Sequence, residues 1–120
     1  MKRKKIGLAL SGGSVRGFAH IGVLHVFAAE GIPVDFISGT SSGSIIAALY
    51  ANELSVQNSF AISLNINWKS FAAIHFSKKG MINGSTIERF ISSRIPHNSF
   101  SELKIPLAVT TTDLLSGEEV

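Results

Sequence analysis

Residues 34–51 read VDFISGTSSGSIIAALYA, and the pentapeptide Gly39-Thr40-Ser41-Ser42-Gly43 inside them decides how the whole chain is read. Val34 to Ser38 is a short β-prone run of the length of a buried strand. Gly39 to Gly43 breaks that run. Ser42 to Asn52 then reads as a helix whose small residues, Gly43, Ser44, Ala47 and Ala48, allow close packing on a sheet. Strand, tight turn, helix is the setting in which G-x-S-x-G carries chemistry. The serine sits on a strained backbone, and side chains two residues before and after it would collide with the turn. The dipole and free N–H groups of the following helix face its hydroxyl. Ser41 is therefore the candidate nucleophile, in an elbow made by Gly39, Thr40, Ser42 and Gly43. An ordinary small-residue turn would carry the same letters, so the surrounding chain has to decide.

Upstream, Ile6 to Leu10 reads as a short buried strand that stops at Ser11-Gly12-Gly13-Ser14. From Arg16 or Gly17 to Glu30 the pattern is helical and apolar nearly all round, which predicts a buried helix. Gly31 suits the position just past its end, and Pro33 prevents continuation. The loop Gly12-Gly13-Ser14-Val15-Arg16-Gly17 thus joins a strand to a helix, as the elbow does. Glycines there let backbone N–H groups converge on a negative oxygen, either an oxyanion or a phosphate. The dinucleotide fingerprint needs glycine where Ser14 stands, and no Gly-Lys-Ser/Thr follows as a P-loop would require. Arg16 could simply solvate the helix start, but a cation there opposes the helix dipole, which favours a functional role.

Downstream, Ser55 to Leu64 reads as helix. Asn65 to Lys79 mixes polar and aromatic residues, among them Trp68, Phe71 and Phe76, which suit core packing or a lipid entry. Ser85 is expected to cap a helix from Thr86 to Arg94 that shows Ile87, Phe90 and Ile91 on one face. Pro106 to Thr112 reads as a third strand, and Leu114 to Val120 as the start of a hairpin around Ser116-Gly117. Strands alternating with helices imply βαβ units and a parallel sheet with helices on both faces. Three strands and half a hairpin make a poor complete sheet. Residues 1–120 are therefore expected to be the N-terminal part of one longer domain.

Composition narrows the classes further. Hydrophobic residues at 45% and charged residues at 16% exclude a disordered chain, and the absence of cysteine excludes disulfide and cysteine–zinc scaffolds. The longest apolar stretch, Phe18 to Ala29, is interrupted by His20, Gly22 and His25. It is shorter than the ~18 residues a membrane span needs. The net charge of +3 is concentrated, because Lys2, Arg3, Lys4 and Lys5 supply four of the eleven basic residues. The remainder is close to neutral and offers no face for nucleic acid. The basic end reads as a solvated lead-in to a strand, with weak attraction to an anionic lipid surface as the functional alternative. Ile6 to Leu10 is too short for the apolar core of a signal peptide.

A strand–Gly-Gly-x-x-Arg-Gly–helix followed within 30 residues by a strand–G-x-S-x-G–helix resembles the patatin-like phospholipase family. Gly17 to Leu24 resembles that family's first helix. Ile105-Pro106-Leu107, with Thr112-Asp113-Leu114 and Gly117-Glu118, resembles its later central strand and hairpin. The resemblance covers Lys5 to Val120. It implies a three-layer α/β fold with a mostly parallel central sheet flanked by helices, incomplete at the C-terminus. It also implies a serine acyl hydrolase with a Ser–Asp dyad and no catalytic histidine. The substrate would be a phospholipid or another acyl lipid, with peripheral membrane contact. No acidic or histidine cluster has ligand spacing, so no metal and no cofactor is expected, and with no signal peptide or membrane span read in the sequence a cytoplasmic setting is expected. Export without a cleavable signal stays open. Ser41 would be the nucleophile. The N–H groups of Gly12, Gly13 and Ser14 would form the oxyanion hole, with Arg16 lending positive charge. Ser14 stands where the family's loop has a third glycine.

The family's base lies in an Asp-Gly-Gly/Ala motif, and no Asp-Gly pair occurs in this sequence. Asp35 and Asp113 are expected to bond loop N–H groups instead. His20, His25, His75 and His97 are expected to be structural. The rival reading is a non-catalytic nucleotide- or phosphate-binding module built on Gly12 to Gly17. A module that only pairs with another chain is the third.

Overall fold

The computed structural model describes residues 2–53, 55–65 and 84–120. The expectations for His75, Trp68, Phe71 and Phe76 lie outside those residues. Strand β1 (Gly7–Leu10) leads through a 3₁₀ turn (Ser14–Gly17) into helix α1 (Phe18–Ala29). Strand β2 (Phe36–Gly39) leads into α2 (Ser42–Ala51), followed by α3 (Val56–Leu64) and α4 (Gly84–Ser92). A second 3₁₀ turn (Phe100–Glu102) precedes β3 (Leu107–Val109). The three strands form one parallel sheet in the order β1-β2-β3. Gly7 pairs with Phe36 and Leu10 with Gly39, while Ile37 pairs with Leu107 and Gly39 with Val109. This is the α/β arrangement of a parallel sheet and helices that the resemblance implied.

The pleat decides which residues enter the core. Successive strand residues point to opposite faces, so Leu8 and Leu10, Ile37, and Leu107 and Val109 share one side. Helix α2 lies across that side and touches all three strands. Its Ile46 and Leu49 are fully buried, each worth about 1.5–3 kcal/mol of burial. On the other side Gly7, Ala9, Phe36 and Ala108 are exposed. Strand order that advances in one direction with right-handed crossovers puts successive connections on the same face. The expected helical cover is therefore present on one face among the described residues.

Helix α1 corrects one expectation. Its apolar residues run all round, yet only Ile21 and Leu24 are buried, while Val23 and Val26 are 46% and 53% exposed. The helix lies beside α2 and α3 and meets them along a single stripe. Its end follows the sequence closely. Gly31 has φ +64°, its N–H donates to the Ala28 carbonyl, and the Ile32 N–H reaches Phe27 O at 2.8 Å. That pair of bonds is a Schellman closure, which glycine makes without steric cost.

Helix α4 begins at Gly84, so Ser85 lies within its first turn rather than capping it; helix starts read from propensity shift by a residue or two. Phe90 and Ile91 pack against the core as expected. Buried Asn52 ends α2. Its amide donates to Ala48 O at 3.0 Å, and its Oδ1 accepts the His97 N–H at 2.9 Å. The hairpin after β3 forms, with Thr112 bridging Glu119 antiparallel. No helix among the described residues is long and apolar enough to cross a membrane.

Candidate active site

The site grows from the C-terminal ends of β1 and β2, which are neighbours in the sheet. Thr40 N donates to Leu10 O at 3.0 Å, so the two turns leave the sheet side by side. Ser41 is exposed and caps α2 with φ +53° and ψ −124°. That region is sparsely populated by residues with a side chain and costs about 1–3 kcal/mol. The turn is closed behind it: Gly43 N donates to Thr40 O and Ser44 N to Ser41 O, both at 2.9 Å. The Ser44 hydroxyl also reaches Ser41 O at 2.5 Å.

Space explains the flanking glycines. A Cβ on Gly39 would lie 2.5 Å from Gly43 O and from Ser44 Cα. A Cβ on Gly43 would fall on the Leu10 and Ser11 carbonyl oxygens, 2.6 Å from the latter. Ser42 differs sharply from its neighbour. It is 4% exposed, and its hydroxyl has no hydrogen-bond partner among the described residues. Its side chain lies against Gly17, where a Cβ would come within 3.0 Å. Of the two adjacent serines, Ser41 is exposed and Ser42 is buried.

The glycine loop lies over the elbow. A Cβ on Gly12 would stand 3.0 Å from Ser41 Cβ and 3.7 Å from Ser41 Oγ. Gly13 has φ +152° and Ser14 has φ +54°, so the serine takes up a conformation that glycine would adopt more easily. Arg16 N donates to Gly13 O at 3.0 Å and closes the 3₁₀ turn, while its side chain is exposed. No partner is found among the described residues for the N–H groups of Gly12, Gly13 and Ser14. Of the three, Gly12 is the residue that lies against Ser41.

Two contacts escaped the sequence reading. Thr110 Oγ1 donates to Thr40 Oγ1 at 2.9 Å, and Thr110 N donates to Gly39 O at 3.2 Å, so the end of β3 buttresses the elbow. The only signal for this was the run Thr110-Thr111-Thr112. His20 Nε2 lies 2.8 Å from Ser11 O.

Both aspartates bond N–H groups, as expected. Asp35 accepts from Ile6 N at 2.8 Å and from both Arg3 guanidinium nitrogens at 2.6 and 2.7 Å. These contacts, the Arg3 bond first, bring its carboxyl down to about 2 from the ordinary 3.8. Arg3 is thus held by a carboxylate rather than simply solvated. Asp113 accepts from Ser116 N at 3.1 Å and Leu115 N at 2.7 Å, and these bonds, the Ser116 one first, lower its pKa. His25 is exposed and His97 half-buried. An apolar cavity of about 210 Å³ lies between α2, α4 and β3, lined by Ser44, Ala48, Ile91, Ile95 and Val109 among others.

The sequence matches the family model described as patatin-like phospholipase over residues 8–118. The chain belongs to the patatin-like phospholipase family. It is similar to patatin-like phospholipase domain-containing protein 6 of Homo sapiens, 35% identical over 93% of this chain and 9% of that protein. It is similar to patatin-like phospholipase domain-containing protein ZK370.4 of Caenorhabditis elegans, 33% identical over 94% of this chain and 9% of the relative. Lysophospholipase NTE1 of Mycosarcoma maydis is 30% identical over 91% of this chain and 6% of its own length. The patatin-like chain thus spans less than a tenth of these relatives.

Proposed function

We propose that this patatin-like chain carries the nucleophile and oxyanion hole of a serine acyl hydrolase that cleaves ester-linked fatty acids from phospholipids or other acyl lipids. The backbone of Ser41 is the observation that supports this most. An exposed serine is held at φ +53° and ψ −124° beneath a loop whose Gly12, Gly13 and Ser14 N–H groups have no partner among the described residues. A simple turn would have no use for that strain.

In this reading Ser41 Oγ attacks the ester carbonyl carbon and gives its proton to a base. The carbonyl oxygen becomes an oxyanion and accepts the N–H groups of Gly12, Gly13 and Ser14, at ~3–4 kcal/mol per donor. Arg16 adds positive charge at the rim. Collapse expels the alcohol, which takes up the proton. Water then attacks the acyl–Ser41 ester and releases the fatty acid. The base of the dyad is the aspartate of an Asp-Gly-Gly/Ala motif, which residues 1–120 do not contain. Asp35 is a poor candidate, because it precedes β2 while Ser41 follows it, and the strand from Asp35 to Gly39 alone spans about 13 Å. Asp113 has its carboxylate engaged by its own turn.

The apolar cavity running along α2 from Ser44 suits an acyl chain. The name lysophospholipase on fungal relatives makes a lysophospholipid the first substrate to try. The test is turnover of a lysophospholipid and a p-nitrophenyl ester by the complete protein. Ser41→Ala is expected to abolish both, and Ser42→Ala to leave both nearly unchanged. Equal turnover in wild type and Ser41→Ala would remove Ser41 as nucleophile. Saturable nucleotide binding at Gly12–Gly17 without ester turnover would establish the phosphate-binding reading.

A further inference from the structure

We infer that His20 is a positioning residue, which fixes the Ser11–Gly12 peptide so that the Gly12 N–H serves as an oxyanion donor. The inference rests on the hydrolase reading of Ser41 and deepens it.

His20 lies in the first turn of α1 with Nε2 at 2.8 Å from Ser11 O. A carbonyl oxygen only accepts, so Nε2 carries the hydrogen and donates. The same oxygen is pressed from another side by the Gly43 backbone, where even one added carbon would lie 2.6 Å away. The Ser11 carbonyl is therefore held between the first and second helices. The Ser11–Gly12 peptide is trans, and in a planar trans peptide the C=O and N–H point in opposite directions. Holding Ser11 O towards His20 consequently turns the Gly12 N–H away from it. Gly12 is also the loop residue whose Cα faces Ser41, and its N–H has no partner among the described residues.

Without the His20 bond the peptide between a serine and a glycine has little to stop it rotating. Gly12 tolerates either orientation, because it lacks a Cβ. A rotated peptide would present a carbonyl oxygen where the reaction develops negative charge. Removing a single donor outright costs ~10²–10³-fold in kcat. Losing only its alignment is expected to cost about 10- to 100-fold.

The experiment uses the complete protein and begins with its Ser41-dependent ester turnover, so that failure of the hydrolase reading is seen separately. His20→Leu removes the donor. His20→Gln replaces it with an amide of similar reach, and His20→Asn with one that falls short of Ser11. The expected result is a 10- to 100-fold lower kcat for Leu and Asn with KM within about twofold. Gln should recover most of the rate. Binding of a trifluoromethyl ketone, which forms a tetrahedral adduct, should weaken in parallel with kcat. If His20→Leu does not fold, the Gln and Asn pair decides by the same criteria. Unchanged kcat in His20→Asn, or an equal loss in Gln and Asn, overturns the inference.

Discussion

At the residue scale, the two serines at 41 and 42 show how a backbone sorts identical side chains. Ser42 points into the protein against Gly17, while Ser41 is exposed on a strained turn. The strain has a measurable consequence. Ser41→Gly lets the same turn form without a Cβ at φ +53°, relieving about 1–3 kcal/mol, less ~0.5–1 kcal/mol for the freer unfolded glycine. A net gain of roughly 1 kcal/mol in thermal or urea unfolding is expected, with complete loss of activity. A stability loss of that size would show that the Ser41 conformation is not strained.

Asp35 gives a second prediction at this scale. Its pKa is lower in the folded protein than the ordinary 3.8, held to about 2 first by Arg3 and then by the Ile6 N–H. A carboxyl depressed in this direction stabilises the fold above its unfolded value and loses that contribution as pH falls through its folded value. Wild type should therefore lose stability between roughly pH 5 and pH 2, and Asp35→Asn should lose less over the same window. Parallel pH profiles for the two would contradict the Arg3–Asp35–Ile6 contact.

At the scale of elements, the sequence showed the order of strands and helices because each carries its own local signal. Gly31 and Pro33 mark the end of α1, and the β-prone run 34–38 marks β2. It did not show how far α1 would be buried, since an apolar helix looks the same whether it meets neighbours on one side or on all. The elbow was legible because its five residues make a recognisable local pattern and Gly39 is required by Gly43 and Ser44 close by, although Gly43 is required by Leu10 and Ser11 on the neighbouring strand. The Thr110–Thr40 bond was not, because it joins segments that only the sheet register brings together, and the His20–Ser11 bond was not, because it depends on how the glycine loop folds back on the start of α1.

Glycines can accordingly be ranked by element. Gly43→Ala drives a carbon into the Leu10 and Ser11 carbonyls and should cost about 1–3 kcal/mol, the range for overpacking. Gly22→Ala, in an exposed position of α1 with nothing near its added carbon, should gain up to about 1 kcal/mol from helix propensity. Equal effects in chemical denaturation would mean that the α2–β1 approach is not this close.

At the scale of the molecule, the proposed nucleophile and the proposed oxyanion donors lie within one β-α-β-α stretch, whereas the proposed base does not. A positioned base typically contributes ~10²–10⁴-fold. Residues 1–120 prepared alone are expected to hydrolyse p-nitrophenyl esters no faster than the same residues bearing Ser41→Ala. Ser41-dependent turnover by that segment would bring His20, Asp35 and Asp113 back into the search for the base.

The most direct measurement is covalent trapping. The complete protein is treated with a fluorophosphonate and the modified peptide identified by mass spectrometry, with a lysophospholipid as competitor. A single phosphonate on Ser41, slowed by the competitor and absent in Ser41→Ala, is the predicted result. Modification of Ser42 or Ser44 instead, or no modification of a protein that still hydrolyses the lipid, would contradict the assignment of Ser41 as the nucleophile.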